Sequence, residues 1–187
     1  MDRSNHYERA FEAYLRERGV GVVAVDESKR SRLEGESVKS ADFLVVGPGP
    51  AKLVVDVKGR RFPGGNSIRP RPVWQNWSTE SDIAGLRAWA DGFGESFRGV
   101  LAFVYEIAAP YRIARDAPDR FPYEGREYLV RGIDALAYAA TMTPRSRRWG
   151  TVHLPAAAFR ALCRPFSYFL TQYEYKIPAT DFTDRTD

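Results

Sequence analysis

The sequence lacks the features that mark secreted, membrane-spanning and zinc-binding proteins. It holds a single cysteine, Cys163, and two histidines, so it can form neither an internal disulfide nor a four-ligand Cys/His zinc site. No apolar run reaches the roughly 18 residues that a membrane span needs, and no apolar segment follows the N-terminus as in a signal peptide. We therefore expect a cytoplasmic protein with no membrane partner.

Lysine is also scarce, because 23 of the 28 basic residues are arginine. Arginine suits bidentate phosphate contacts, so this composition, with a net charge of +4, is compatible with a nucleic-acid partner. A bias in genomic base composition would produce the same excess. The length of 187 residues and the 44% of hydrophobic residues fit one globular domain. We expect that domain to span residues 1–178, followed by an acidic tail at 179–187.

The hydrophobic pattern predicts an α/β fold. The predicted elements are a helix capped by Ser4 or Asn5, strands at 20–25, 40–46 and 53–58, a helix of about 14 residues capped by Ser78 or Thr79, and strands at 100–107 and 127–133. Because a short Gly-Pro turn joins the second and third strands, we expect them to be antiparallel. Residues 26–39, 59–72 and 108–125 are predicted to be loops. The element order predicts a central mixed β-sheet of about five strands flanked by helices on both faces.

A carboxylate and an amine end the strand predicted at 53–58. Side chains alternate along a strand, so Asp56 and Lys58 of Asp56-Val57-Lys58 share one face. An acid and an amine held side by side at a strand end, beside a basic segment, are candidates for handling a metal ion and water. For the triplet taken alone, an ion pair on the surface is the simpler alternative.

Asp42 begins the preceding strand, and in a hairpin it lies at the same end as Asp56 and Lys58. Two carboxylates brought together repel each other unless a cation lies between them, and Mg²⁺ prefers such hard oxygen ligands. The alternative for Asp42 is a residue whose side chain caps the backbone at a strand start. Glu8, at the edge of the apolar stripe of the first helix, is the candidate for a fourth member. Its alternative role is that of partner to Asn5 in a capping box.

Glu8 on an opening helix, Asp42 on a strand and Asp56-Val57-Lys58 on the next strand resemble the PD-(D/E)XK nucleases. This superfamily includes archaeal Holliday-junction resolvases and many restriction and repair endonucleases. The resemblance covers residues 4–107, and the predicted element order is similar to the common core of the family. It implies a restriction-endonuclease-like core and a metal-dependent endonuclease that hydrolyses phosphodiester bonds in DNA rather than RNA. Small nucleases of this kind often need a dimer to meet two strands, so a homodimer is expected.

The resemblance also implies a role for each of these residues. Asp42 and Asp56 would hold Mg²⁺ or Mn²⁺, the backbone carbonyl of Val57 would be a further ligand, and Glu8 would bind through water or complete a second site. Lys58 would position or help to deprotonate the attacking water and steady the charge that grows on the phosphate. These roles agree with the chemistry, because a nucleophile that attacks an anionic phosphodiester needs a cation to relieve repulsion and lower its pKa.

Basic and polar residues after Lys58 are candidates for binding nucleic acid. They are Arg60, Arg61, Arg69, Arg71, Gln75 and Asn76. No acid separates the four arginines, a pattern typical of a clamp on the DNA backbone and equally of a solvated loop. The family often has a polar residue on the helix that follows the lysine strand. Here Gln75 and Asn76 lie just before that helix and Glu80 and Asp82 lie inside it, so none matches the family pattern cleanly. The neighbouring Trp74 and Trp77 could stack on unpaired bases or cover the sheet.

Two other functions stay open at this stage. The first is a nucleic-acid-binding module on the same fold with little or no turnover, whose salt-sensitive DNA binding would survive the loss of Asp42 and Asp56. The second is an interaction protein whose aromatic C-terminal half forms a partner face. The aromatic residues concerned form either core or a dimer face, and they are Phe159, Phe166, Tyr168, Phe169, Tyr173 and Tyr175.

Overall fold

The computed structural model describes residues 5–25, 31–33, 36–48, 52–65 and 68–171. Within them the helices are α1 (His6–Glu17), α2 (Glu80–Phe93), α3 (Ala135–Thr141), α4 (Ala156–Leu162) and α5 (Phe166–Thr171), with a 3₁₀ turn at Arg147–Trp149. The strands are β1 (Gly21–Ala24), β2 (Ser31–Leu33), β3 (Glu36–Val38), β4 (Phe43–Val46), β5 (Lys52–Phe62), β6 (Gly64–Gly65), β7 (Pro70–Arg71), β8 (Ser78–Thr79), β9 (Phe97–Ile107), β10 (Arg120–Tyr123), β11 (Arg126–Asp134), β12 (Thr143–Ser146), β13 (Thr151–His153) and β14 (Arg164–Pro165). None of the helices described is long and apolar enough to cross a membrane. The predicted tail at 179–187 lies outside the described residues, as do Tyr173 and Tyr175.

The central sheet contains seven strands in the order β1-β4-β5-β9-β11-β10, with β14 also paired to β11. Its β5–β9 pair is parallel, and its other pairs are antiparallel. The mixed sheet flanked by helices confirms the predicted architecture, but the predicted number of about five strands is too low. Two short strands account for the difference. β10 lies in a segment predicted to be a loop, and it carries Pro122, which a strand tolerates at the edge of a sheet.

Helices cover both faces of the sheet. Asn5 caps α1 as predicted, and the apolar side of α1 packs with α5 on one face, where Phe11 and Val55 belong to the same buried cluster. On the other face, Val54 and Ile83 belong to a second cluster to which α2, α3 and α4 contribute. The aromatic residues Phe166 and Phe169 are buried in the first cluster, so they form core and not the exposed partner face considered above.

The register of β4 and β5 brings the candidate acids together. The two strands are antiparallel as predicted, with Phe43 opposite Val55. Asp42 therefore lies one residue before the start of β4, next to Asp56. Because side chains alternate along β5, Asp56 and Lys58 lie on the face of Val54, which is the face that α2 covers.

The strand β5 extends further than the hydrophobic pattern predicts. It runs to Phe62 because it pairs with β9 along its whole length, ending with Phe62 opposite Ile107. The prediction of a loop from residue 59 onward is therefore wrong for the first four residues. Arg60 and Arg61 lie on the strand instead, and alternation places Arg60 on the same face as Lys58.

Helix α1 crosses β5 at Gly59, where no side chain has room. A Cβ at this position would collide with the Tyr7 ring and lie 2.8 Å from Tyr7 Cβ, an atom that cannot rotate away. We expect Gly59→Ala to lower the free energy of unfolding by about 1–3 kcal/mol, as overpacking does. Chemical denaturation would measure the loss. The same substitution should cost less in a Tyr7→Ala background, and an equal cost in both backgrounds would contradict this contact.

Candidate active site

Asp56 and Lys58 meet a third charged residue beneath α2. Lys58 Nζ lies 2.5 Å from Asp56 Oδ2 and 2.7 Å from Asp82 Oδ2, so one ammonium bridges two carboxylates. The three side chains are 12%, 6% and 3% exposed for Lys58, Asp56 and Asp82, respectively. Burying a charge is costly unless an opposite charge accompanies it. The Asp56–Lys58 pair is thus an interior feature and not the surface ion pair considered as the alternative.

Asp82 was noted in the sequence as a polar residue of the second helix but was not assigned to this site. Asp82 Oδ2 accepts a hydrogen bond from Thr79 N, and Asp82 N donates to Thr79 Oγ1, both at 3.1 Å, which forms a capping box at the start of α2. The Ser78 hydroxyl donates to the same carboxylate at 2.9 Å, and Lys39 forms an ion pair with its other oxygen. The spacing of Thr79 and Asp82 is the sequence signature of such a box. The contact with Lys58 has no local signature, because it arises where the first turn of α2 lies over β5.

Burial and neighbouring charges oppose each other at these three groups. Burial raises the pKa of Asp56 to about 6, although the Lys58 ammonium counteracts the rise. Burial would lower the pKa of Lys58, but the carboxylates of Asp56 and Asp82 outweigh it and raise that pKa. Burial also disfavours ionised Asp82, yet Lys58 and Lys39 hold the pKa of Asp82 well below its usual range. At neutral pH, Lys58 is therefore an ammonium and Asp82 a carboxylate, and Asp56 is the member that takes up a proton most readily.

Asp42 contacts the backbone of β5 beside this cluster. Its Oδ2 accepts a hydrogen bond from Val57 N at 2.5 Å, so its carboxylate caps the strand backbone, which was the alternative role considered for it. The N–H and C=O of a strand residue point to the same side, so the Val57 carbonyl also points past the start of β4 toward Asp42. The Asp42 carboxylate and the Val57 carbonyl thus lie on one side of β5.

Glu8 belongs to α1, which packs on the face of β5 opposite to Lys58. Its Oε1 accepts a hydrogen bond from Asn5 Nδ2 at 2.6 Å, a contact with the residue that caps the helix. In the part of the chain that the structure describes, no three His, Cys, Asp or Glu side chains are placed to hold one metal ion. Asp42 lies next to Asp56 at the start of β4. The participation of Glu8 in a metal site stays a prediction.

The donors at the start of β4 fit a hard divalent cation. Mg²⁺ is often bound by one or two carboxylates and keeps several of its waters, and both Asp42 and Asp56 are buried. Asp56 Oδ2 is buried and contacts the ammonium of Lys58 at 2.5 Å. Because Lys58 also pairs with Asp82, a cation bound at Asp56 would not leave the ammonium without a counter-charge.

The arginines predicted to bind nucleic acid lie in different settings. The Arg60 guanidinium lies 3.9 Å from the centre of the Trp77 ring and donates to the Trp77 carbonyl at 2.5 Å. Arg60 therefore anchors the segment that precedes α2. Arg61 on β5, Arg69 just before β7 and Arg71 on β7 are exposed, as a backbone clamp requires.

The two polar residues before α2, Gln75 and Asn76, also lie in different environments. Asn76 is buried, and its side-chain amide bonds both the N–H and the C=O of Leu154, at 3.2 and 3.1 Å. Asn76 thus fixes this segment to the chain after β13 and does not present its amide to a ligand, contrary to its predicted role. Gln75 is half-buried, and its backbone carbonyl accepts a hydrogen bond from the Tyr105 hydroxyl at 2.9 Å.

The fold is similar to that of a solved nuclease. No protein-family model matches the chain, and no curated protein matches its sequence. The structure of Hjc, a Holliday junction resolvase from the archaeal hyperthermophile Archaeoglobus fulgidus, matches with a TM-score of 0.51 and 11% sequence identity. The match covers 88% of this chain and 98% of that chain. At this identity the likeness concerns the fold, and it confirms the predicted restriction-endonuclease-like core.

The position of Asp82 predicts a large effect of its charge on stability. Asp82→Asn keeps the shape of the side chain but removes the charge that pairs with Lys58 and Lys39, so we expect the free energy of unfolding to fall by about 2–3 kcal/mol. Asp91→Asn, on the exposed side of α2, is the matched control and should change it by less than about 0.5 kcal/mol.

The difference in the free energy of unfolding between wild type and Asp82→Asn should also depend on pH. A carboxyl whose pKa is lowered by folding stabilises the protein above its unfolded pKa of 3.8, and this contribution is lost as the pH falls toward the folded value. Urea denaturation should therefore give a roughly constant difference from about pH 7 to pH 5 and a smaller one below about pH 4. A difference that vanishes already near neutral pH would contradict the ion pairs of Asp82.

Proposed function

We propose that this protein is a metal-dependent endonuclease of the PD-(D/E)XK type that hydrolyses phosphodiester bonds in DNA. The observation that carries the proposal is the buried bridge of Lys58 between Asp56 and Asp82, one strand away from Asp42. Buried ionisable groups with displaced pKa values are characteristic of functional sites. The similarity of the fold to that of a Holliday junction resolvase supports this chemistry over others.

In this proposal, Asp42, Asp56 and the backbone carbonyl of Val57 would hold Mg²⁺ or Mn²⁺, and Glu8 would bind the metal through water or complete a second site. A divalent cation supplies a water of lowered pKa and offsets the negative charge of the phosphodiester. Asp56 binds a cation only in its ionised form, and its pKa of about 6 leaves it ionised at neutral pH.

Lys58 acts as a fixed positive charge and not as a base. Its pKa is raised by Asp56 and Asp82, so its amine is protonated at neutral pH and has no lone pair to accept a proton. A protonated amine donates hydrogen bonds to a phosphate oxygen or to the attacking water. Of the two roles implied for Lys58, these observations support the stabilisation of charge on the phosphate.

The test is cleavage of labelled duplex, single-stranded and branched DNA in the presence of Mg²⁺ or Mn²⁺. We expect Asp56→Asn and Lys58→Met each to lower the cleavage rate at least about a hundredfold, because each removes a charge next to the reacting phosphate. Lys52→Met, exposed on the same strand, and Asp91→Asn, exposed on α2, are matched controls that should cleave like wild type. Identical behaviour of wild type and Asp56→Asn on every substrate would overturn the proposal.

One observation favours the alternative of a binding module without turnover. Lys58 already neutralises Asp56, and over the described residues no third acid joins Asp42 and Asp56 around one metal position. This alternative predicts that wild type cleaves none of the substrates. DNA binding would then weaken with salt and would survive Asp42→Asn and Asp56→Asn.

We also propose that the protein acts in the cytoplasm as a homodimer, in a setting such as DNA repair. A two-fold dimer presents two identical sites related by symmetry, which suits the two antiparallel strands of a duplex. Light scattering at micromolar concentration should give about twice the chain mass of 21.2 kDa. A mass of one chain at every concentration would argue against the dimer.

A further inference from the structure

A second site lies beside the candidate active site, in a cleft of about 1070 Å³. It is lined by the segment that precedes α2, by residues around β13 and by α4. Four arginines line it, namely Arg71, Arg131, Arg145 and Arg160, and within the described ranges no Asp or Glu does. The volume slightly exceeds the range of about 300–1,000 Å³ that is usual for ligand sites. A cleft with this charge favours an anionic ligand.

Aromatic rings give the cleft a second chemical property. Trp74, Trp77 and Phe159 belong to its lining. Two guanidinium groups lie over the half-buried ring of Trp77, that of Arg60 at 3.9 Å and that of Arg145 at 4.9 Å. Arg60 is held by its hydrogen bond to the Trp77 carbonyl, whereas Arg145 is exposed and accessible to a phosphate. A planar ring next to an exposed arginine is suited to a base that carries a phosphate.

We propose that this cleft binds unpaired nucleotides of DNA, with a base stacked on Trp77 and the phosphates held by Arg145 and Arg160. A duplex keeps its bases stacked within the helix, so it could use the arginines of the cleft but not its rings. Unpaired nucleotides can use both, because every base has a π-face and the strand is flexible enough to turn it outward. An acidic peptide would satisfy the arginines alone and leave the rings without a comparable partner.

The cleft is connected to the candidate active site by a short chain of contacts. Trp77 is followed by Ser78, whose hydroxyl donates to Asp82 at 2.9 Å, and Asp82 lies 2.7 Å from Lys58. Arg60, which contacts Trp77, is two residues from Lys58 on the same face of β5. The inference rests on the proposed function, because it names the form of DNA that would be presented to Lys58.

The test uses three labelled probes of equal length without any divalent metal: a thymidine 12-mer, an abasic 12-mer and a 12-base-pair duplex. Fluorescence anisotropy with the full chain in EDTA should show that the thymidine probe binds about tenfold tighter than the abasic probe, since a stacked base contributes on this scale. Trp77→Leu should abolish this difference without weakening the abasic probe, and Trp77→Phe should retain part of it. Trp149→Leu is the matched control, because Trp149 is exposed, lies outside the cleft and also has an arginine over its ring.

The arginines are tested by the salt dependence of the same binding. Arg145→Ala and Arg160→Ala should each lower the slope of log affinity against log salt by about 0.7, as expected for one phosphate contact to a single strand. Arg87→Ala, exposed on α2 and outside the cleft, should leave the slope unchanged. Circular dichroism identifies any variant that fails to fold, and the comparison of probes on wild type remains decisive in that case.

Equal affinity of wild type for the thymidine and abasic probes, or tighter binding of the duplex, would overturn the inference. Loss of the base contribution in Trp149→Leu as much as in Trp77→Leu would do the same. These outcomes are independent of cleavage, because binding is measured without metal. A protein that binds thymidine as expected but cuts nothing would refute the nuclease proposal alone, and one that cuts duplex without preferring unpaired bases would refute this inference alone.

Discussion

The ammonium of Lys58, held between two buried carboxylates, is the interaction around which this face of the molecule is arranged. Strand β5 carries an acid and an amine into the interior, where isolated charges are unfavourable. The ion pair of Asp56 with Lys58 offsets that cost, and α2 adds a second carboxylate, that of Asp82, 2.7 Å from Lys58, whose charge Lys39 balances. The start of α2 is therefore tied to β5. Arg60 ties the segment before α2 to β5 as well, and Asn76 fixes that segment to Leu154 after β13.

The two carboxylates that share Lys58 are held very differently. Asp82 has ion pairs with Lys58 and Lys39 and hydrogen bonds from Ser78 and Thr79, so its pKa lies far below that of a free carboxyl. Asp56 has Lys58 as its charged contact, and burial raises its pKa. Asp82 is therefore held ionised by several partners, whereas Asp56 takes up a proton more readily.

Local patterns in the sequence were sufficient to predict most helices and strands of the central sheet and part of the candidate active site. The cap of α1 at Asn5 and the antiparallel pairing of β4 with β5 depend on neighbours in the chain, and both were predicted. The extension of β5 through Arg60 was not, because it depends on pairing with β9, some 45 residues away in sequence as Arg60 lies opposite Tyr105. Asp82 was visible as a capping residue, but its contact with Lys58 arises only when α2 packs on the sheet. Charges that meet across elements leave no periodic signal in the sequence.

The alternation of side chains along β5 explains why the candidate active site and the arginine-lined cleft are neighbours. Asp56, Lys58 and Arg60 occupy every second position of one strand, so all three project from the face that α2 covers. At about 3.3 Å per residue, the strand spans roughly 13 Å from Asp56 to Arg60. The acid at one end is next to Asp42, and the arginine at the other end contacts Trp77 at the edge of the cleft. Strand β5 thus fixes the separation between the carboxylates of Asp42 and Asp56 and the ring of Trp77.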